Sequence, residues 1–314
     1  MAYLHHPPCR SMGFDISKDT IAVSDGCSVT IIANRRKAIR RFLRGCGVDL
    51  AVCEPTGGYE NILLDECLRR GLPIHRADTR KAKAFIRSRG RLGKSDAIDA
   101  RELAAYGLER WASLALWRAP EPCEAKLKAL VRRRNDLVAI KVAEQNRAKA
   151  PNGLGGPELA ASYKAVLALL KRQIKAVDEA IRKLVSGSPL KRKVAVATTM
   201  KGIAETTAAA LIATLPELGQ MDRKQAAALA GLAPHPNESG KKVGYRSMRG
   251  GRPAVRTILF MPAMQAARGT GEFAAFYKRL LSAGKKPIVA IAAVMRKIVV
   301  TLNARLRDTQ KQQS

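Results

Sequence analysis

Asp15, Glu54, Asp96 and Asp99 are four carboxylates spaced to suit two-metal phosphodiester chemistry. That chemistry uses two Mg2+ ions about 4 Å apart, one activating the nucleophile and one stabilising the leaving oxygen. Mg2+ takes oxygen ligands and keeps several waters, so a protein supplies carboxylates and little else. Mn2+ is the alternative ion. The four acids stand against the charge of the chain. Of 314 residues, 57 are Lys or Arg and 26 are Asp or Glu, a formal net charge of +31. Such an excess suits a polyanion, bound through phosphate neutralisation and counterion release. Carboxylates that must work beside phosphates need a cation between them.

The elements that must position these acids can be read around them. Residues 12–15, 20–23 and 28–33 read as short strands, and 35–44 as a helix ending at Gly45. The apolar run 49–53 (DLAVC) delivers Glu54 at its C-terminal end, and Pro55-Thr56-Gly57-Gly58 breaks the chain. A helix over 59–70, a strand over 73–77 and a very basic helix over 80–89 follow. A further helix starts at Ser95, a good N-cap, and runs to residue 108. Asp96 and Asp99 are three apart and so share a helix face, near an N-terminus that favours anions. Singly, each acid has a plainer reading as a turn, early-helix or solvated loop residue. Together they run as an acid on strand one, an acid ending a later strand, then D-x-x-D on a helix. That is the order of an RNase H-like (RuvC-like) mixed-sheet α/β domain.

The remainder is mainly helical. Residues 123–150 form a polar helix, PNGLGGP (151–157) breaks it, and 158–185 carries apolar residues from Tyr163 to Leu184 at spacings of three and four. This predicts a helical hairpin or coiled coil, with Arg134 and Lys141 interrupting the first helix's seam. Residues 200–204, followed by a helix over 206–215, resemble a helix-hairpin-helix turn whose second glycine is replaced by Ala204. A helix over 226–232 leads into a polar loop, 233–251, containing His235 and Ser239. Pro253 suits the first turn of a helix to about residue 268, and 288–306 is a last amphipathic helix. The expected domains are 10–115, the helical region 120–188, and 190–308.

Composition narrows the function classes. Apolar content of 46% is that of a globular protein, and 4% aromatic content argues against binding strands mainly by base stacking. No stretch reads as long enough to span a bilayer, since the run 287–295 stops at Arg296-Lys297. The N-terminus lacks a signal-peptide core. The six cysteines form no C-x-x-C pair and the four histidines no zinc pattern, which suits reduced thiols in a cytoplasmic protein. The opening GFDISKDTIAVSDG is similar to that of actin-like sugar kinases. However, no adenosine-binding glycine motif follows, and a charge of +31 does not suit a small-molecule kinase.

The segments GFDISK, CEPTGGYE and KSDAIDARELA resemble the amino-terminal DEDD domain of insertion sequence 110 family transposases. LAGLAPHPNESGKK and GGRPAVRTILFMPAMQAAR resemble that family's carboxy-terminal domain. The resemblance implies an RNA-guided recombinase that cuts and rejoins DNA. Its RuvC-like domain would hold metal on Asp15, Glu54, Asp96 and Asp99. A second domain would carry Ser239, in Asn237-Glu238-Ser239-Gly240, as a nucleophile forming a covalent DNA intermediate. It also implies donor and target DNA and a structured non-coding guide RNA as partners. Protomers would be joined by a coiled coil into dimers and then a tetramer, with sites shared between protomers. The location implied is the bacterial cytoplasm, at the nucleoid, with no membrane partner.

From the residues alone, a Ser-Gly in a polar loop is ordinarily a turn, and His235 is the one nearby histidine. A metal ion could activate the serine while a carboxylate takes its proton. Ser247 is the reserve nucleophile. Lys241, Lys242, Arg246, Arg249, Arg252 and Arg256 are expected to hold phosphates. Arg80, Lys81, Lys83, Arg87, Arg89, Arg91 and Lys94 are expected on an RNA or DNA backbone. The alternatives are a RuvC-like endonuclease hydrolysing DNA with water, and a non-catalytic RNA-binding protein.

Overall fold

Alternating side chains build the sheet at the head of the chain. The computed structural model describes residues 2–90, 93, 95–150, 157–240 and 242–312, without the side chains of Pro157, Lys242, Val243 and Gln310. The chain divides into two units, Met1–Ala119 and Pro120–Ser314.

In the first unit the strands are β1 (Ser11–Ile16), β2 (Thr20–Ser24), β3 (Val29–Ala33), β4 (Leu50–Cys53) and β5 (Ile74–Arg76). They lie in the order β3-β2-β1-β4-β5. β1, β2 and β3 are antiparallel, while β1–β4 and β4–β5 are parallel, so the sheet is mixed as the sequence predicts. The helices are α1 (Arg36–Arg44), α2 (Asn61–Arg69), α3 (Thr79–Ser88) and α4 (Asp96–Arg110), with a 3-10 turn at Trp111–Ser113. Side chains alternate across a strand. Met12, Phe14 and Cys53 therefore enter one core with Ile39 of α1 and Leu63 of α2. Leu50 and Val52 enter the opposite core with Phe85 of α3 and Leu103 and Tyr106 of α4. The buried Glu66 of α2 holds Arg36 at 2.7 Å and Arg40 at 3.0 Å, fastening α1 to α2.

The second unit is mainly helical: α5 (Pro122–Ala148), α6 (Pro157–Ser186), α7 (Leu190–Thr198), α8 (Glu205–Thr214), α9 (Arg223–Leu229), α10 (Pro253–Arg268), α11 (Glu272–Ser282) and α12 (Pro287–Lys311). α5 and α6 pack antiparallel. Leu127 and Val131 near the start of α5 share a core with Ile181 and Val185 near the end of α6. Arg134 does not spoil this pairing, because its Nε donates to Asp178 at 2.5 Å. The same core continues through α8, α10 and α12, so the base of the helix pair and the helices after it form one body.

One expectation changes. Residues 287–309 of α12 are long and apolar enough to cross a membrane by length and composition, contrary to the reading that the run stops at Arg296. Val294, Ile298 and Leu302 of that helix are instead buried in the core of the second unit. The turn before α8 is closely packed. A Cβ on Gly202 (φ +90°) would lie 2.9 Å from the Pro262 carbonyl oxygen, so the turn is packed against α10.

Candidate active site

Strand parity sets the first half of the site. Ser11, Gly13 and Asp15 fall on one face of β1, the face covered by α4; Leu50 and Val52 fall on the same face of β4. The parallel register ends at Phe14–Cys53, so Asp15 and Glu54 are the next pair along two adjacent strands. Adjacent strands lie roughly 4.8 Å apart.

Two glycines bring α4 onto this face. A Cβ on Gly13 would lie 2.1 Å from the Ala100 carbonyl oxygen and 2.5 Å from the Ala104 nitrogen. A Cβ on Gly107 would lie 2.0 Å from the Ser11 hydroxyl oxygen. Helix and strand therefore meet backbone to backbone. Ser95 caps α4 by accepting from the Ile98 N–H at 3.3 Å. Asp96 is the exposed first residue of α4, and Asp99, three residues on, is half-buried.

The electrostatics follow from this packing. Partial burial raises the Glu54 carboxyl above its usual range, and Asp15, Asp99 and Asp78 push it the same way against Lys83. Asp15, Glu54 and Asp99 thus share one field. Asp78 and Lys83 were not expected at the acids. Asp78 caps α3, accepting from the Arg80 and Lys81 N–H groups, and Lys83 lies just over one turn further. The signal for Asp78 was a lone acid between a strand and a basic helix, which reads as a cap. Among the described residues, no three His, Cys, Asp or Glu side chains are gathered as a ready-made metal cluster. The donor set is all carboxylate, and Asp15 and Asp99 add to the burial that raises Glu54. That chemistry fits Mg2+ or Mn2+.

Of the basic residues before α4, Arg80, Lys81, Lys83 and Arg87 are exposed on α3. Arg80 lies 3.6 Å from Asp78. Arg89 is tied to Glu102 at 2.8 Å and to Glu109, and so fastens the end of α3 to α4. Arg91 and Lys94 lie outside the described residues.

In the second unit, the expected loop is a nested hairpin. β6 (Pro234–His235) pairs with β9 (Ser247–Met248), and inside it β7 (Glu238–Ser239) pairs with β8 (Lys242–Val243). Strands of two residues are too short to show alternation in a sequence. Gly240, at φ +54°, makes the turn, and Ser239 is exposed beside it. His235 faces Ser247 in the outer ladder, so Ser239 has no histidine opposite it.

The arginines around this finger divide into two groups. Arg252 spends two nitrogens on Glu217, at 2.7 and 2.6 Å, and also donates to the Thr214 carbonyl. Arg256 donates to the carbonyls of Gly231 and Gly250. These two anchor the base of the finger. Arg246 and Arg249 are exposed; Arg246 pairs with Glu238 at 3.2 Å and Arg249 donates to the Ser247 hydroxyl. Lys241 and the Lys242 side chain lie outside the described residues.

Comparison with known proteins gives two family matches. A DEDD domain of IS110-type transposases, described as "Transposase", matches residues 12–150. The description "Transposase IS116/IS110/IS902 family" matches residues 194–278. The chain is also similar to the pilin gene-inverting proteins of Moraxella lacunata and Moraxella bovis. Each is 27% identical over 268 residues, covering 82% of this chain and 80% of the relative. The first family match contains the acid-bearing strands and α4; the second contains the finger and α10. With both halves matched in order, the chain belongs to the IS110 family of transposases, enzymes that recombine DNA.

Proposed function

We propose that this transposase cuts and rejoins DNA through a serine-linked intermediate, using metal held in a RuvC-like domain. The observation that carries the reading is that Asp15 and Glu54, ending adjacent strands, share one field with Asp99 of the covering helix α4. These three acids, with Asp96, would hold Mg2+, or Mn2+ in its place. The bound ions would supply a Lewis acid and charge neutralisation at the scissile phosphate.

Ser239 is the proposed nucleophile. Its Oγ bonds to phosphorus, a phosphodiester P–O bond breaks, and the leaving sugar oxygen takes up a proton. The serine's own proton passes to a carboxylate or to solvent. Attack of a sugar hydroxyl on the phosphoserine reverses the step and joins a new strand. By its name the Moraxella relative inverts a gene. Inversion needs rejoining as well as cutting, which supports strand exchange over hydrolysis by water.

The RuvC-like fold, the guide RNA and the dimer-to-tetramer assembly with shared sites belong to this reading through the two motif sets. α5 and α6 would join protomers as a coiled coil. Arg80, Lys81, Lys83, Arg87, Arg246 and Arg249 would contact phosphates, and the protein would work in the cytoplasm at the nucleoid. The domain limits proposed are 10–115, 120–188 and 190–308.

The decisive experiment incubates the protein, copurified with its RNA, with DNA carrying the ends of its own element and Mg2+. Denaturing electrophoresis should show a protein–DNA adduct and a rejoined product. Both vanish in Ser239→Ala. If Ser239→Ala rejoins DNA at the wild-type rate, the serine reading is wrong; cutting without an adduct or rejoining would identify hydrolysis by water.

A further inference from the structure

Beside the serine finger, the second unit holds a groove of about 790 Å3. That is the size range of small-molecule sites, roughly 300–1,000 Å3. Its floor is apolar and open to solvent: Phe260 and Met261 of α10 are 39% and 60% exposed, and Ile288 and Val289 of α12 are 61% and 50% exposed. A soluble surface rarely leaves so many large apolar side chains together without a ligand. Pro234 and Met248, which pair across β6 and β9, form one lip, so the groove lies at the base of the finger whose inner ladder carries Ser239.

The charged residues of the groove say what the ligand is. Three arginines line it, and no acidic residue does. Arg246 is engaged by Glu238 and Arg256 by two backbone carbonyls. Arg296, half-buried on α12, makes no hydrogen bond or ion pair among the described residues. A guanidinium is always charged and carries five donors in a planar fork that matches phosphate. An apolar protein segment would cover the floor and leave that fork unmet. A second copy of the chain would bring its own excess positive charge, +31 per protomer. A nucleotide satisfies both parts: its flat base covers Phe260 and Met261, and its phosphate reaches Arg296.

We propose that this groove receives one unstacked base of the DNA strand beside the phosphate attacked at Ser239, with that nucleotide's phosphate on Arg296. The proposal rests on the reading of Ser239 as nucleophile. The groove would hold the end of the broken strand in register until it is rejoined. It would also make the enzyme sensitive to the size of the base flanking the break.

The test compares a fluorescent twelve-residue oligothymidylate with an abasic deoxyribose-phosphate chain of the same length. Both are titrated into the full-length protein and followed by anisotropy. Stacking of one base should make the oligothymidylate bind about tenfold more tightly. Phe260→Ala and Arg296→Gln should each reduce that ratio severalfold. Met261→Ser, at the more exposed position, serves if Phe260→Ala fails to fold. In DNA carrying the element's end, 5-iodouracil at the base flanking the break should cross-link to α10 or α12, and 5-iodouracil five bases away should not.

A wild-type ratio near one overturns the proposal, as does a ratio that the variants leave unchanged. Cross-links confined to other elements, or a preference for oligouridylate over oligothymidylate, also overturn it. So does a Met261→Ser protein that changes only its oligomeric state in sedimentation, because the groove is then a protein interface. Ser239→Ala separates the two readings: it should keep the base preference and lose the adduct. An adduct that survives Ser239→Ala defeats the nucleophile alone.

Discussion

Glu54 is placed under two opposing demands. Burial and the charges of Asp15 and Asp99 favour its protonated form, while Lys83 favours the carboxylate. A carboxyl with a raised folded-state pKa holds its proton more tightly in the folded protein than in the unfolded chain. Its stabilising contribution is present at low pH and is lost as pH rises from about 4.5 through the raised value. Glu54→Gln should therefore melt higher than the wild type at pH 7 without divalent metal, and the difference should shrink towards pH 4. Mg2+ should raise the melting temperature of the wild type more than that of Glu54→Gln. Strand transfer by the variant should fall on the order of a thousandfold or more, as for loss of a catalytic group. An unchanged rate would remove Glu54 from the site. Glu66 works in the opposite sense. Its bonds to Arg40 and Arg36 hold its pKa down to about 2, so the α1–α2 fastening persists above pH 4.5 and is lost as pH falls towards 2. Glu66→Gln should flatten acid unfolding across that window, monitored by circular dichroism. At this scale the sequence was legible where residue type and order sufficed, as for Asp15 and Glu54 at the ends of adjacent strands. It was not legible for Asp78 and Lys83, whose relation to Glu54 exists only once α3 folds back beside β4.

The elements are held by side chains that are missing as much as by those present. Gly13 carries no chemistry, yet a single methyl there would collide with two backbone atoms of α4. Gly13→Ala should cost roughly 1–3 kcal/mol, the usual range for overpacking, and should abolish strand transfer by moving α4 off the strand that carries Asp15. Gly45→Ala is the control, because its Cβ would meet nothing closer than 3.8 Å. Equal activity in the two variants would mean that the close contact does not set the site. Arg252 has the matching role at the finger, where its fork closes on Glu217. Arg252→Lys cannot make both bonds. It should loosen the finger and lower the yield of covalent adduct while leaving the melting of the first unit unchanged. Strands of the main sheet were readable from apolar runs ended by turn residues. The finger was not, because its ladders are two residues long and its geometry is fixed by Gly240 and by anchors elsewhere in the chain.

Across the whole molecule, charge dominates. With a formal charge of +31, binding to DNA should weaken steeply with salt. Six to ten phosphate contacts would reduce affinity about 10³–10⁵-fold between 50 and 200 mM salt. A nearly flat dependence, measured by anisotropy on duplex DNA, would mean that these charges face solvent in the complex. The change from mixed sheet to helices near residue 120 was legible as a change in composition. That the helix pair shares a core with the later helices was not, since Leu127 and Leu259 come into one core only in the folded unit. α12 teaches the same lesson: a run apolar enough for a lipid bilayer instead turns one face, with Val294, Ile298 and Leu302, into the core of its own protein.

The bare contact between α4 and β1 has a mechanical meaning. Where two elements meet through side chains, small displacements are absorbed by rotamer changes. Here Gly13 lies directly under the main chain of α4, and no such cushion lies between them. α4 is in effect a lever without slack. A push on its solvent side, where Arg101 and Leu108 are exposed, would be delivered to Asp99 almost undiminished.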